Sequence, residues 1–170
     1  MNLVSLGRLL WCLLGAAAGI FAALWLVTEP ASPLFLASLG GSSVFLFGLT
    51  RAPAAQPRAL LGGHLGGAFI GICCYQLFGD ALWVYAAAQA ATLGYMLLTQ
   101  TVHPPAGANP LIMIYGHASF AALWQPVLVG VLALAVVASV WSRVLRGQVH
   151  YPRSWWEKSP PSVLWGGWGE

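Results

Sequence analysis

Long apolar runs, separated by short polar or proline- and glycine-rich stretches, divide the chain into six segments. They cover residues 8–28, 33–50, 58–79, 81–101, 104–117 and 120–142. A helix needs about 20 mostly apolar residues to cross a bilayer, and four of the runs are long enough. The second run is interrupted by Gly40-Gly41-Ser42-Ser43, and the fifth is too short for a straight crossing. The pattern predicts an all-α membrane protein with about six transmembrane segments.

Charged residues are rare and flank the apolar runs. Apolar residues make up 59% of the chain and charged residues 6%, whereas soluble domains are about 25% charged. With six crossings, Arg8, Arg51, Arg58 and the basic stretch Arg143–Lys158 fall on the cytoplasmic side, as the positive-inside rule requires. With four crossings and two re-entrant loops, Arg51 and Arg58 would lie outside. The charges favour six crossings of a bacterial-type inner (plasma) membrane, with both termini cytoplasmic.

The chain is expected to hold one transmembrane domain, residues 1–145, and a short cytoplasmic tail, residues 146–170. The tail mixes Trp and Tyr with Arg and Lys, which is typical of a segment at the membrane surface. The net charge of +3 does not suggest nucleic acid. Four dispersed histidines without neighbouring carboxylates make no convincing metal site, and no known catalytic motif is present. We expect neither a cofactor nor an enzymatic activity.

The two halves of the chain are weakly similar. Residues 39–47 align with residues 106–114, and in each half the aligned stretch follows one apolar run and precedes another. If each half crosses the membrane three times, the second half enters from the opposite face. This arrangement is an inverted repeat, in which short or Gly/Pro-interrupted helices at matching positions mark the substrate site.

The first candidate site is the stretch from Ser38 through Gly40, Gly41, Ser42 and Ser43. Glycines allow the backbone to bend and to be approached closely. A helix that begins here would point free N–H groups and the positive end of its dipole into the protein interior, which suits an anion. The alternative is a close-packing face on which Gly and Ser let helices approach.

The second candidate site is His103-Pro104-Pro105, followed by Gly107 and Asn109. Paired prolines are excluded from a helix interior but can open a helix, so a fifth helix should start near Pro104 or Pro105. His103 would lie at its edge as a neutral imidazole, and Asn109 would add an amide donor. The alternative is a loop that leaves His103 on the surface.

The third stretch opens the run at residue 58. Arg58 would attract anions to a pore mouth, or would simply follow the positive-inside rule. His64 lies about two turns inside, as a tie between helices or as a pathway residue. Gly63, Gly67 and Gly71 form a small-residue face for helix contact, which makes a homo-oligomer plausible.

These stretches resemble the HPP family of integral membrane proteins. The resemblance rests on His103-Pro104-Pro105 with Ala106-Gly107-Ala108, on Ser38–Val44, on Pro53, on Ala55–Arg58 and on Gly63-His64, and covers residues 8–145. The family is usually described with four transmembrane segments, so six is a departure. Its plant plastid and cyanobacterial members are associated with nitrite transport, and some members carry an additional cytosolic domain. The resemblance implies a pathway for nitrite or a similar anion.

We therefore predict a channel or uniporter for a small monovalent anion, with nitrite as the leading candidate. The anion would be held by backbone N–H groups around Gly40–Ser43 and Ala106–Asn109, with His64 beside the path. Neutral donors and helix dipoles hold such an anion without trapping it. The alternatives are a channel for formate, chloride or a neutral molecule, and a structural or sensing membrane subunit that transports nothing.

Overall fold

Helices form the membrane part of the chain. The computed structural model describes residues 2–27, 33–163 and 165–166. Within these ranges the chain forms six α-helices and no β-strand. They are α1 (Leu3–Leu26), α2 (Pro33–Ser43), α3 (Pro57–Phe78), α4 (Leu82–Thr99), α5 (Asn109–Tyr115) and α6 (Val129–Val144). The predicted all-α class is confirmed for the described residues.

Local sequence explains where these helices begin and end. The Asn2 side chain accepts a hydrogen bond from the Ser5 amide, so α1 begins several residues before the first apolar run was expected to start. Pro57 occupies the first position of α3, where its missing N–H costs nothing. Gly79, with φ of 79°, ends α3, and Gln100 ends α4 in the left-handed region. These residues stop the helices before the loops.

Three described helical stretches are long and apolar enough to cross a membrane. They are Leu3–Leu26, Pro57–Phe78 and Leu123–Val144. The third is kinked near its start, because Gln125 before Pro126 has an extended backbone with φ of −122° and ψ of 125°, and it continues beyond the kink as α6. We expected a fourth full span at residues 81–101, but α4 is not among these stretches. It has 18 residues between Ala81 and the left-handed Gln100, and its Tyr, Gln and Thr side chains lower its hydropathy.

The second apolar segment does not begin a helix at its glycine pair, contrary to prediction. It starts at Pro33 and runs as α2 through Gly40 and Gly41 to Ser43, then widens into a π-helix over Val44–Gly48. The Ser43 hydroxyl donates to the Gly40 carbonyl inside the helix at 2.8 Å, and the Ser42 hydroxyl lies 3.0 Å from the Ser38 carbonyl. Such back-bonding satisfies serine without ending a helix. Gly40–Ser43 therefore offers no free helix N-terminus.

Helix α3 lies at the centre of the bundle. It contacts α4, α5 and the 3₁₀ turn Pro104–Ala108, while α1 packs along α6. Two inverted halves would place α1 on α6 and α4 on α3, and these pairings are present. The inverted repeat itself stays a prediction.

The small-residue face of α3 is covered by the same chain. A Cβ atom at Gly63 would lie 3.1 Å from the Cβ of His103, and one at Gly71 would lie 2.6 Å from the Cα of Pro110. Because the 3₁₀ turn and α5 occupy this face, it is not available to a second copy. A homo-oligomer would have to use another surface.

The two ends of the bundle carry opposite charge. Arg8, Arg51 and Arg146 line one cavity at the end where α1 begins and α6 finishes. At the other end of α3, an oxygen of Asp80 lies 3.1 Å from Nε2 of His117. We call these the basic end and the acidic end of the bundle; which of them faces the cytoplasm stays a prediction.

Candidate functional site

Five of the predicted polar residues meet in the middle of the bundle. Ser38 and Ser42 come from α2, His64 from α3, His103 from the start of the 3₁₀ turn, and Asn109 from the first position of α5. Each is at most 1% exposed. We call them the Ser/His cluster. Polar groups so deeply buried are costly unless they bond to one another.

Ser42 is the hub of the cluster. Its hydroxyl oxygen lies 2.8 Å from Nε2 of His64 and 2.8 Å from Nε2 of His103. The two imidazole rings are tilted against each other, with centroids 5.2 Å apart. One hydroxyl therefore joins two histidines that are 39 positions apart in the sequence.

Neighbouring carbonyls assign the proton on each ring. The Ala54 carbonyl lies 2.6 Å from Nδ1 of His103; since a carbonyl only accepts, this nitrogen carries the proton. Nε2 of neutral His103 is then an acceptor, and the Ser42 hydroxyl is positioned to donate to it. The assignment follows from the chemistry of the partners.

The opposite tautomer holds for His64. Asn109 donates from Nδ2 to the His64 carbonyl at 2.9 Å, which fixes the orientation of its amide. The same nitrogen lies 3.0 Å from Nδ1 of His64, so that ring nitrogen accepts. His64 then donates from Nε2 to Ser42. The donors run in one direction, from Asn109 through His64, Ser42 and His103 to Ala54.

Ser38 closes the cluster on the other side. Its hydroxyl donates to Oδ1 of Asn109 at 2.7 Å, and lies 3.3 Å from the Pro105 carbonyl and from Nδ1 of His64. Every side-chain polar atom of the cluster therefore has a partner within the described chain. In this state the cluster is saturated with hydrogen bonds.

The other predicted site residues lie outside the cluster. Ser43 bonds only within its own helix, and Gly40 has no atom within 4 Å of where a Cβ would be. Pro104 is exposed and Gly107 half-buried. Gly41 packs on Pro105, since its Cβ would lie 2.9 Å from that ring. The backbone-donor site expected at Gly40–Ser43 is not formed, because these N–H groups lie within α2.

Arg58 ties two helices together at the basic end. Its half-buried guanidinium donates from Nη2 to the carbonyl of Thr99, the last residue of α4, at 2.7 Å. A cation at this position complements the negative end of the helix dipole. Arg58, which was predicted to lie at the mouth of the pathway, therefore makes a contact between α3 and α4 through one of its guanidinium nitrogens.

Three residues with polar groups of structural interest were not predicted from the sequence. Ala54 matters only through its carbonyl, which no side-chain pattern reveals. Gln56 is fully buried and joins the loop before α3 to the tail, because Oε1 accepts from the Arg153 amide at 2.9 Å. Thr92 is 1% exposed, and its hydroxyl has no partner among the described residues. An isolated threonine in an apolar run was the available signal for the last.

The tail folds back over the basic end. Ser159 donates its amide to the Gln100 carbonyl and accepts from the Val102 amide, at 2.9 and 2.7 Å. Tyr151 is 1% exposed, and burial raises the pKa of its hydroxyl. Trp155 and Trp156 stay exposed, and the position of the tail at the membrane surface stays a prediction. The tail thus bonds to Val102, the residue that precedes His103 in the sequence.

Comparison with models of known protein families identifies the family of the chain. The family model described as "HPP, transmembrane region" matches residues 1–152. The chain belongs to the HPP family. The match contains both signature stretches, so the resemblance seen in the sequence is confirmed, and the protein is a multi-pass membrane protein.

Two curated transmembrane proteins of Dictyostelium discoideum are similar to this HPP protein. They are 34% and 32% identical to it over 131 and 136 residues, which cover 72% and 75% of the chain. The alignments cover 46% and 43% of the relatives, so the chain spans less than half their length. No solved structure matches the chain. The Ser/His cluster lies within the family match.

Proposed function

We propose that this HPP protein is a channel or uniporter for a small monovalent anion, with nitrite as the leading candidate, and that the anion passes the Ser/His cluster. One observation carries the proposal: the Ser42 hydroxyl lies 2.8 Å from both histidines, deep inside an apolar bundle. A buried polar centre in a membrane protein is a functional candidate by default. The association of family members with nitrite adds the choice of anion.

The chemistry of the cluster suits a single negative charge. Its members are neutral hydroxyl, amide and imidazole groups, and none of the described residues in contact with them is an Asp or Glu. A passing anion would take the hydrogen bonds that now join Ser42 to the histidines. Neutral donors bind an anion weakly enough to release it, which conduction requires.

The saturated state of the cluster represents the closed pathway. An anion that approaches His103 meets the Nε2 lone pair unless Ser42 turns or the ring gains a proton. A second proton can only be placed on Nε2, because Nδ1 already donates to Ala54. Opening therefore involves a rearrangement around Ser42.

The test is flux through the full chain reconstituted in liposomes. Nitrite-driven swelling above that of empty vesicles is expected, and Ser42→Ala should reduce it at least tenfold. Ser43→Ala is the matched control, because this neighbouring serine bonds within α2 without touching a histidine. Parallel runs with formate, chloride and glycerol decide the solute class.

A non-transporting structural or sensing subunit is the second candidate. The complete hydrogen bonding of the cluster favours it, since such a network also locks three segments together. Flux of no solute, from protein shown to be folded in the same vesicles, would overturn the transport proposal and leave this one.

A further inference from the structure

A second polar region lies at the basic end, away from the Ser/His cluster. The start of α1, the loop after the π-helix and the segment after α6 line an open cavity of about 1040 Å³. Arg8, Arg51 and Arg146 line it, one from each of these three parts of the chain. The sequence separates these arginines widely, and only the fold brings them together.

Among the residues that the structure describes, the three guanidinium groups have no acidic partner. No Asp or Glu is among the residues that line the cavity, and the single ion pair within the described residues joins Asp80 to His117. Each of the three arginines is exposed. Like charges gathered in one cavity repel each other unless an anion lies between them.

The walls of the cavity are those of a membrane interface. The rings of Trp11 and Trp141 stack with centroids 4.3 Å apart, and the Trp141 indole donates to the Trp11 carbonyl at 3.1 Å. Tryptophan is enriched at the level of lipid headgroups. The cavity thus combines a basic rim with a wall of paired indole rings, a composition typical of protein surfaces at headgroup level.

Exposed apolar side chains lie on other faces of the same two helices. Leu10 and Leu13 of α1 and Val140 of α6 are exposed. Nearer the acidic end, another open cavity of about 310 Å³ lies between α1 and α6. It is lined only by apolar side chains such as Leu26 and Val136. The tails of a lipid whose headgroup lies at the arginines can contact these exposed side chains in the bilayer.

We propose that this cavity binds the phosphate headgroup of an anionic phospholipid, with the lipid tails against α1 and α6. Its volume of about 1040 Å³ is large enough to admit a glycerophosphate headgroup and greatly exceeds that of a triatomic anion. Arginine binds phosphate oxygens through two parallel hydrogen bonds, and basic pockets between transmembrane helices bind such headgroups. This site is independent of the proposed anion pathway.

Native mass spectrometry of the full chain tests the proposal. The protein is released from mixed micelles that contain phosphatidylglycerol or phosphatidylcholine, and the bound lipid is counted. Wild type should retain phosphatidylglycerol and lose phosphatidylcholine. Replacing arginine by glutamine at positions 8, 51 and 146 should weaken retention about fivefold for each charge removed.

Arg153→Gln is the matched control, because Arg153 is exposed, lies in the tail and does not line the cavity. It should retain phosphatidylglycerol within twofold of wild type. An equal loss in this control would show a bulk charge effect and overturn the proposal, as would equal retention of the two lipids. Competition by millimolar glycerophosphate that removes the lipid completely would identify a free-phosphate site instead. The single variants R8Q and R51Q, checked by size exclusion, keep the test valid if the triple variant fails to fold.

Discussion

The two motifs that the sequence presents as equivalent behave differently in the fold. Gly40-Gly41-Ser42-Ser43 lies inside a continuous helix, whereas Pro104-Pro105 opens a new helical stretch. A proline forbids the preceding helix to continue through it. Glycine only permits a break, and tertiary packing decides whether one occurs. The difference shows that the glycine motif is a packing surface for the proline motif and does not start a second helix.

The largest effect is expected where α5, the helix that follows the proline motif, packs against α3. A Cβ at Gly71 would lie 2.6 and 2.7 Å from the Cα and carbonyl oxygen of Pro110. Backbone atoms cannot yield as a flexible side chain can, so Gly71→Ala should destabilise the protein by about 3 kcal/mol or more. Unfolding of the purified chain in SDS, followed by circular dichroism, measures the effect.

Gly94→Ala is the control for that substitution, because nothing lies within 4 Å of a Cβ at Gly94. It should leave the SDS midpoint unchanged or raise it slightly. Equal behaviour of the two variants would contradict the close contact between α3 and α5.

A smaller effect is expected from removing the hydrogen bonds that join Asn109 to α2 and α3. Asn109 accepts from Ser38 of α2 and donates to the His64 carbonyl. Asn109→Leu keeps the approximate volume but leaves these groups without a partner, which should cost about 2 to 3 kcal/mol. The same unfolding measurement applies. Gln89→Leu, which replaces an exposed amide on α4, should have little effect, and a comparable loss there would contradict the assigned role of Asn109.

The helical class and the order of the segments could be predicted, because apolar runs and prolines act locally, but several boundaries could not, such as the starts of α1 at Leu3 and of α5 at Asn109. The sequence also selected Ser38, Ser42, His64, His103 and Asn109, since polar groups in apolar runs need partners. The tautomers and the hub at Ser42 could not be predicted, because they depend on the Ala54 carbonyl and on three segments meeting. The glycine pair was misread because the same dipeptide serves a helix break and a close contact, and only the position of Pro105 distinguishes them.

Direct contact between the motifs can be tested at Gly41. Its Cβ would lie 2.9 and 3.1 Å from Cβ and Cγ of Pro105, so Gly41→Ala should cost about 1 to 2 kcal/mol of stability in SDS unfolding. In a Pro105→Gly background those ring atoms are absent, and the added cost of Gly41→Ala should disappear. A cost that persists in the double variant would place the clash elsewhere.

Gly40→Ala should give the smallest effect, with the opposite sign. Gly40 precedes Gly41 in the same helix, but nothing lies within 4 Å of its Cβ position. Alanine loses less backbone entropy than glycine in a helix, so this variant should gain up to about 1 kcal/mol in the same unfolding titration. If it instead lost stability without loss of the Pro105 contact, Gly40 would need a conformation that alanine avoids. The helix would then break at the glycine pair, and the two motifs would be equivalent after all.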